Sequence, residues 1–114
     1  DLGYNMVSDG GLKFISAVLP RMVSLTHLDL SYNSLGPGGA AALAATIGCV
    51  DALRVLALAD NKMSDLGAVQ LAPTLAQLHR LTHLDLGYNR LGVEAARALA
   101  ECLPHISALS LLDL

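Results

Sequence analysis

The 114-residue sequence predicts an α/β solenoid of 28-residue repeats, with short parallel strands on the concave face and helices on the convex face. Three observations carry that reading. Asn5, Asn33, Asn61 and Asn89 stand 28 residues apart without an insertion or deletion. Two leucine ladders keep the same step: Leu25, Leu53, Leu81 and Leu109, and Leu2, Leu30, Leu58, Leu86 and Leu114. Within each copy the apolar period then changes from that of a strand to that of a helix.

The elements follow in order. A half-copy, Asp1–Val7, opens on the last part of a strand. Leu12, Ile15, Ser16 and Leu19 give the stripe of the first helix. Leu28 and Leu30 alternate with polar residues, as in a strand with one buried face. The helical stripe returns as Ala40, Leu43, Ala44 and Ile47, then as Ala68, Leu71, Ala72 and Leu75, then as Ala96, Leu99, Ala100 and Leu103. Asp9 and Asp65 lie near helix starts and suit capping there, and Pro37 suits a first turn. Pro73 falls inside the third helix, where it cannot donate to the Val69 carbonyl, so a bend or break is expected near Val69–Pro73. Its register, shared with Ala17, Ala45 and Glu101, places it on the solvent side.

Aligned on Leu25, the whole copies begin LTHLDLSYNSL, LRVLALADNKM and LTHLDLGYNRL. This L-x-x-L-x-L-x-x-N-x-L pattern resembles that of leucine-rich repeat proteins, and the resemblance covers the whole chain. The segments LGPGGAAALA (Leu35–Ala44) and LGVEAARALA (Leu91–Ala100) resemble the helix entry of the ribonuclease-inhibitor-like subfamily, with Ala95 in place of a glycine. That subfamily includes ribonuclease inhibitor, the Ran GTPase-activating protein, NOD-like receptors and bacterial effectors. The ending LPHIS (Leu103–Ser107) looks most like the repeat region of NOD-like receptors or of the related class II transactivator. The resemblance implies a non-catalytic protein–protein interaction module, such as a ligand-sensing or autoinhibitory repeat region. The alternative is a Ran-type GTPase-activating protein repeat region acting on a GTPase in trans.

Composition narrows the classes. Apolar residues make up 54% and charged residues 15% of the chain, and the net charge of −3 argues against a general nucleic-acid surface. The uncharged stretch Ser31–Val50 contains Asn33, Pro37 and several glycines in repeat register, so no membrane span is expected. Cys49 and Cys102 lie two repeats apart, beyond disulfide reach, and two free thiols point to a cytoplasmic location. Residues 1–114 form a single array of about four repeats. Both ends lack a polar capping repeat, so the chain reads as an internal fragment of a longer solenoid. Leu2, Leu12 and Leu19 at one end, and Leu109, Leu112 and Leu114 at the other, are then expected to lie exposed and to favour end-to-end self-association of the isolated fragment.

Candidate site residues are those the core does not dictate. The four asparagines sit where each strand turns. A carboxamide both donates and accepts, so a structural turn role is the simplest reading of Asn5, Asn33, Asn61 and Asn89. On the concave face one column holds His27, Val55, His83 and Leu111, and the next holds Asp1, Asp29, Ala57, Asp85 and Asp113. The aspartate stripe would meet a basic partner surface. A metal is not expected, because His27 and His83 lie two strands apart, about 10 Å, with Val55 between them. Tyr4, Tyr32 and Tyr88 share a rim column interrupted by Asp60; such rings act either as partner anchors or as packing for one another. Arg54 interrupts a column of Thr26 and Thr82. The partner-binding candidates are therefore Tyr32, Tyr88, His27, His83, Asp29, Asp85 and Arg54. No nucleophile and base pair and no phosphate loop occur in the pattern, so neither catalysis nor a cofactor is expected.

Overall fold

The computed structural model describes residues 1–114. Four strands alternate with four helices: α1 (Ser8–Val18), β1 (His27–Asp29), α2 (Pro37–Ile47), β2 (Val55–Ala57), α3 (Ser64–Leu75), β3 (His83–Asp85), α4 (Val93–Cys102) and β4 (Leu111–Asp113). Single 3₁₀ turns, Leu19–Arg21 and Leu103–His105, follow α1 and α4, each with a proline at its start. The strands form one parallel sheet in the order β1-β2-β3-β4. Each strand pairs with the next at an offset of one repeat, as in His27 with Val55 and Val55 with His83. The opening segment continues the sheet: the Leu2 amide donates to the Asp29 carbonyl at 2.9 Å and the Tyr4 amide to the Ser31 carbonyl at 3.0 Å. Each helix packs on the next in sequence, as each strand does, so the molecule is a stack of repeats.

The core lies between sheet and helices. Leu30, Leu58 and Leu86 from the strand ends meet Leu12, Leu43, Leu71 and Leu99 from the helices, with Leu53, Leu56 and Leu81 filling the layer between. Each fully buried leucine stabilises by roughly 1.5–3 kcal/mol relative to exposure, so the repeated ladders dominate the fold. The expected exposure of Leu12 and Leu19 is corrected here: both are buried, because their faces of α1 and the following turn lie over α2. Leu2, Leu112 and Leu114 are exposed, whereas Leu109, also expected at the surface, is half-buried against the core. The fourth helical stripe also departs from its register. Ala96 and Ala100 are exposed and Leu103 is half-buried, since α4 is covered on its α3 side only, where Ala95 and Cys102 are buried instead.

Two further expectations change. The expected break is absent: the helix α3 runs through Pro73 to Leu75. Its neighbours α2 and α4 hold it on both sides, and Pro73 lies on the exposed face. Asp9 and Asp65 do not cap their own helices. Asp9 Oδ1 accepts from the Gly36 amide at 2.7 Å, at the start of α2. Asp65 Oδ1 accepts from the amides of Gly92 (2.6 Å) and Ala95 (3.2 Å), at the start of α4. Each carboxylate thus accepts from one or two of the free amides at the start of the next helix in the stack, at the favourable end of its dipole. The glycines at that entry follow from this: a Cβ on Gly38 or Gly39 would come within 2.7 or 2.6 Å of the Asp9 carboxylate.

The turns alternate accordingly. Repeats that contribute an aspartate carry Ser8 or Ser64 in the left-handed region (φ 54° and 56°), whereas those that receive one place Ser34 or Arg90 there (φ 56° and 58°). The structural unit is therefore a pair of repeats, superimposed on the shorter sequence period.

Candidate functional site

The concave surface is built by the three-residue strands, whose middle residues Leu28, Leu56 and Leu84 point into the core. The flanking residues of each strand point the other way, and the register aligns them in two columns. His27, Val55, His83 and Leu111 form one; Asp29, Ala57, Asp85 and Asp113 form the other. His27 and His83 are exposed, and Asp29 and Asp85 are half-buried.

Local hydrogen bonds orient these side chains. His27 Nδ1 lies 2.9 Å from the Thr26 hydroxyl, and His83 Nδ1 lies 2.8 Å from the Thr82 hydroxyl. Asp29 Oδ1 accepts from the Ser31 amide at 2.8 Å, and Asp85 Oδ1 from the Gly87 amide at 2.9 Å. Each aspartate so closes a tight turn on itself with one oxygen engaged. At the strand starts the Thr82 hydroxyl donates to the Arg54 carbonyl and the Ser110 hydroxyl to the Thr82 carbonyl. The Arg54 side chain is exposed, and it forms no ion pair: the ion pair in the structure is Glu94 with Arg97, at 3.7 Å. No group of three or more histidine, cysteine, aspartate or glutamate side chains is arranged to hold a metal.

The rim column is strained. Tyr4, Tyr32, Asp60 and Tyr88 all adopt left-handed backbone (φ 57°, 58°, 48° and 56°), which is uncommon for residues other than glycine and asparagine. Tyr4 and Tyr32 stack with ring centroids 4.1 Å apart and planes 10° from parallel. Side-chain hydrogen bonding from Tyr4, then the charge of Tyr4, burial and Asp60, push the Tyr32 phenol above its ordinary value. Tyr88 stands apart from this stack and is 84% exposed.

Behind the rim, the asparagines link one repeat to another. Asn61 Nδ2 donates to the carbonyls of Leu58 and Ala59 in its own turn and of Leu30 in the turn before. Its Oδ1 accepts from the amides of Asn33 (3.1 Å) and Leu35 (2.9 Å). Asn33 and Asn89 repeat the donor pattern, reaching back to Leu2 and Leu58. Asn5 is exposed and donates only to Leu2 and Gly3.

This architecture coincides with a sequence signature. The model of the family described as "Leucine Rich repeat" matches residues 22–44, 53–72 and 77–100, more than half of the chain. The chain belongs to the leucine-rich repeat family. Among solved structures, "Leiomodin-1 Actin-Binding Site 2 (ABS2)" is similar with a TM-score of 0.82 at 19% identity, over 98% of this chain and 69% of that one. At that identity the likeness concerns the leucine-rich repeat fold alone. None of the curated proteins matches the sequence.

Within the leucine-rich repeat frame, the structure brings His27, His83, Asp29 and Asp85 onto one surface, with Arg54 at its edge and Tyr32 at its rim. Tyr88 shares the rim two repeats along. The sequence pattern did not reveal the groove between α3 and α4 on the convex side, lined by Val69, Ala72, Pro73, Ala98, Cys102 and His105 among others. Its signal was the loss of Thr74 and Gln70 counterparts on α4, where Cys102 and Ala98 stand. Cys49 and Cys102 are both free; Cys49 is exposed, and burial pushes the Cys102 thiol up. No helix is long and apolar enough to cross a membrane.

Proposed function

We propose that this chain is a non-catalytic protein-binding module whose partner lies on the concave face and its tyrosine rim. The observation that carries the reading is a division of labour within each repeat. Core positions hold leucine copy after copy, while concave and rim positions vary: His27, Val55, His83; Asp29, Ala57, Asp85; Thr26, Arg54, Thr82; Tyr32, Asp60, Tyr88. A rigid ladder thus presents a patterned surface, which suits discrimination between partners. The tyrosines strengthen the case. Turn geometry alone favours glycine or asparagine at left-handed positions, yet aromatic rings stand there and project into solvent. Tyr4 and Tyr32 support one another, which pre-orders that part of the rim.

The finer assignment rests on the ribonuclease-inhibitor-like helix entry of Leu35–Ala44 and Leu91–Ala100 and on the LPHIS ending, which favour the repeat region of a NOD-like receptor. Two unpaired cysteines fit a reducing cytoplasm. The test is comparative capture. Proteins retained by the wild-type chain should be lost by a Tyr32→Ala/Tyr88→Ala/Arg54→Ala variant and kept by an Arg97→Ala variant, whose change is on α4. A partner lost only by the α4 variant would place the site elsewhere. Stimulated GTP hydrolysis by a Ran-type GTPase on adding the chain would instead favour the GTPase-activating alternative.

A further inference from the structure

We propose that the groove between α3 and α4 takes a lysine side chain presented by a protein partner, independently of the concave face. The groove has a volume of about 350 Å³, enough for one long side chain. Its floor and walls are short and apolar: Ala72, Ala76 and Ala98, with Val69 and Pro73 on one side. Such walls fit a methylene stem rather than a second packed residue.

The neighbouring groove between α2 and α3 shows why this one is open. There the Thr74 hydroxyl crosses to the Ala44 carbonyl at 3.0 Å, and the Gln77 side chain packs over Gly48. Gly67 lets α3 approach closely: a Cβ added to it would lie 3.0 Å from the Ala40 Cβ and 3.4 Å from the Pro37 Cα. One repeat later the register places Cys102, His105 and Ala95 in those three positions. Cys102 makes no cross-helix hydrogen bond, and the Ala95 methyl replaces the glycine.

The polar groups in this groove select a donor. Pro73 has no amide hydrogen, so the Val69 carbonyl has no partner one turn on, and both residues line the groove. Glu101 lines it as well, and its carboxylate makes no ion pair. A carbonyl and a carboxylate offer acceptors only. An ammonium offers three donors and a positive charge on a flexible stem, which matches that set. His105 adds a ring nitrogen at the same wall. A carboxylate-bearing or purely apolar side chain would leave these acceptors unmatched.

Cys102, 5% exposed and lining the groove, supplies the test. The Cys49→Ser chain is equilibrated with cystamine and bis(2-hydroxyethyl) disulfide in a thiol redox buffer. Intact-mass spectrometry then reads the ratio of aminoethyl to hydroxyethyl adduct on Cys102, normalised to the ratio in the urea-unfolded chain. The expected preference for the ammonium fragment is about fivefold, the upper range for a partly exposed ion pair. It should fall close to parity in the Glu101→Gln background, while a blocked lysine peptide, unlike its norleucine counterpart, should shift the His105 resonances of the wild-type chain. Parity in the folded Cys49→Ser chain, an unchanged preference after Glu101→Gln, or no adduct at Cys102 with either fragment would each overturn the proposal.

Discussion

At the residue scale the asparagines carry the argument from sequence to energy. Asn61 is 3% exposed and makes five hydrogen bonds to backbone, two of them accepted by one oxygen. Removing the amide strands carbonyls and amides that water cannot reach. Asn61→Ala should therefore cost about 1–3 kcal/mol by denaturant unfolding, whereas Asn5→Ala, at an exposed site with two bonds, should cost well under 1 kcal/mol. Equal losses would show that the cross-repeat bonds contribute little. Ser16 makes the converse case. Its hydroxyl is buried without a partner, and the same register holds Ala44, Ala72 and Ala100, so Ser16→Ala should stabilise by about 1 kcal/mol. Tyr32 gives a pH signature. Its phenol is raised in the folded chain, so folding favours the protonated form; that stability is complete below the unfolded value near 10 and is lost as pH rises through the folded value. Absorbance near 295 nm should show one tyrosine ionising late, and Tyr4→Phe should remove the delay. The asparagine register and the tyrosine column were legible because each repeats at a fixed step. Packing of one ring on the next was one of the two readings of that column, and Tyr4 and Tyr32 do stack; what the sequence left open was the ring orientation, which the turn dihedrals set.

At the element scale the helix entries show where local reading stops. The stripes of α2 and α3 follow directly from their 3.6-residue spacing, and both are buried or half-buried along their length. The role of Asp9 and Asp65 needed the stack. Each looks like a cap for its own helix, yet its acceptor points at an amide 27 residues ahead. The alternation of Ser8-Asp9, Gly36-Pro37, Ser64-Asp65 and Gly92-Val93 was the available signal, and it has twice the period of the leucine ladder. Asp65→Ala should cost about 1 kcal/mol and should raise amide exchange at Gly92–Ala95, in α4, more than at the start of α3. Exchange confined to residues 64–67 would restore the local-cap reading. Pro73 marks the same boundary. A proline inside an isolated helix breaks it, but lateral packing on two neighbours keeps α3 continuous, and that packing is a property of the stack.

At the scale of the whole molecule, contacts run between adjacent repeats, so the sheet is a ruled surface on which each repeat contributes one row. The fold class was legible for that reason: one repeat, once read, dictates the next. The end layers were less so. Leu12 and Leu19 are buried against the following helix, while α4 leaves Ala96 and Ala100 uncovered, because burial depends on which side of a layer has a neighbour. The choice of binding face rests on variation between rows. Hydroxyl-radical footprinting with a captured partner bound tests that choice most directly. The account predicts protection of His27, His83, Tyr32 and Tyr88, with Phe14 on α1 and Leu66 on α3 unchanged. Protection of the helix residues, with those histidines and tyrosines left fully reactive, would contradict it.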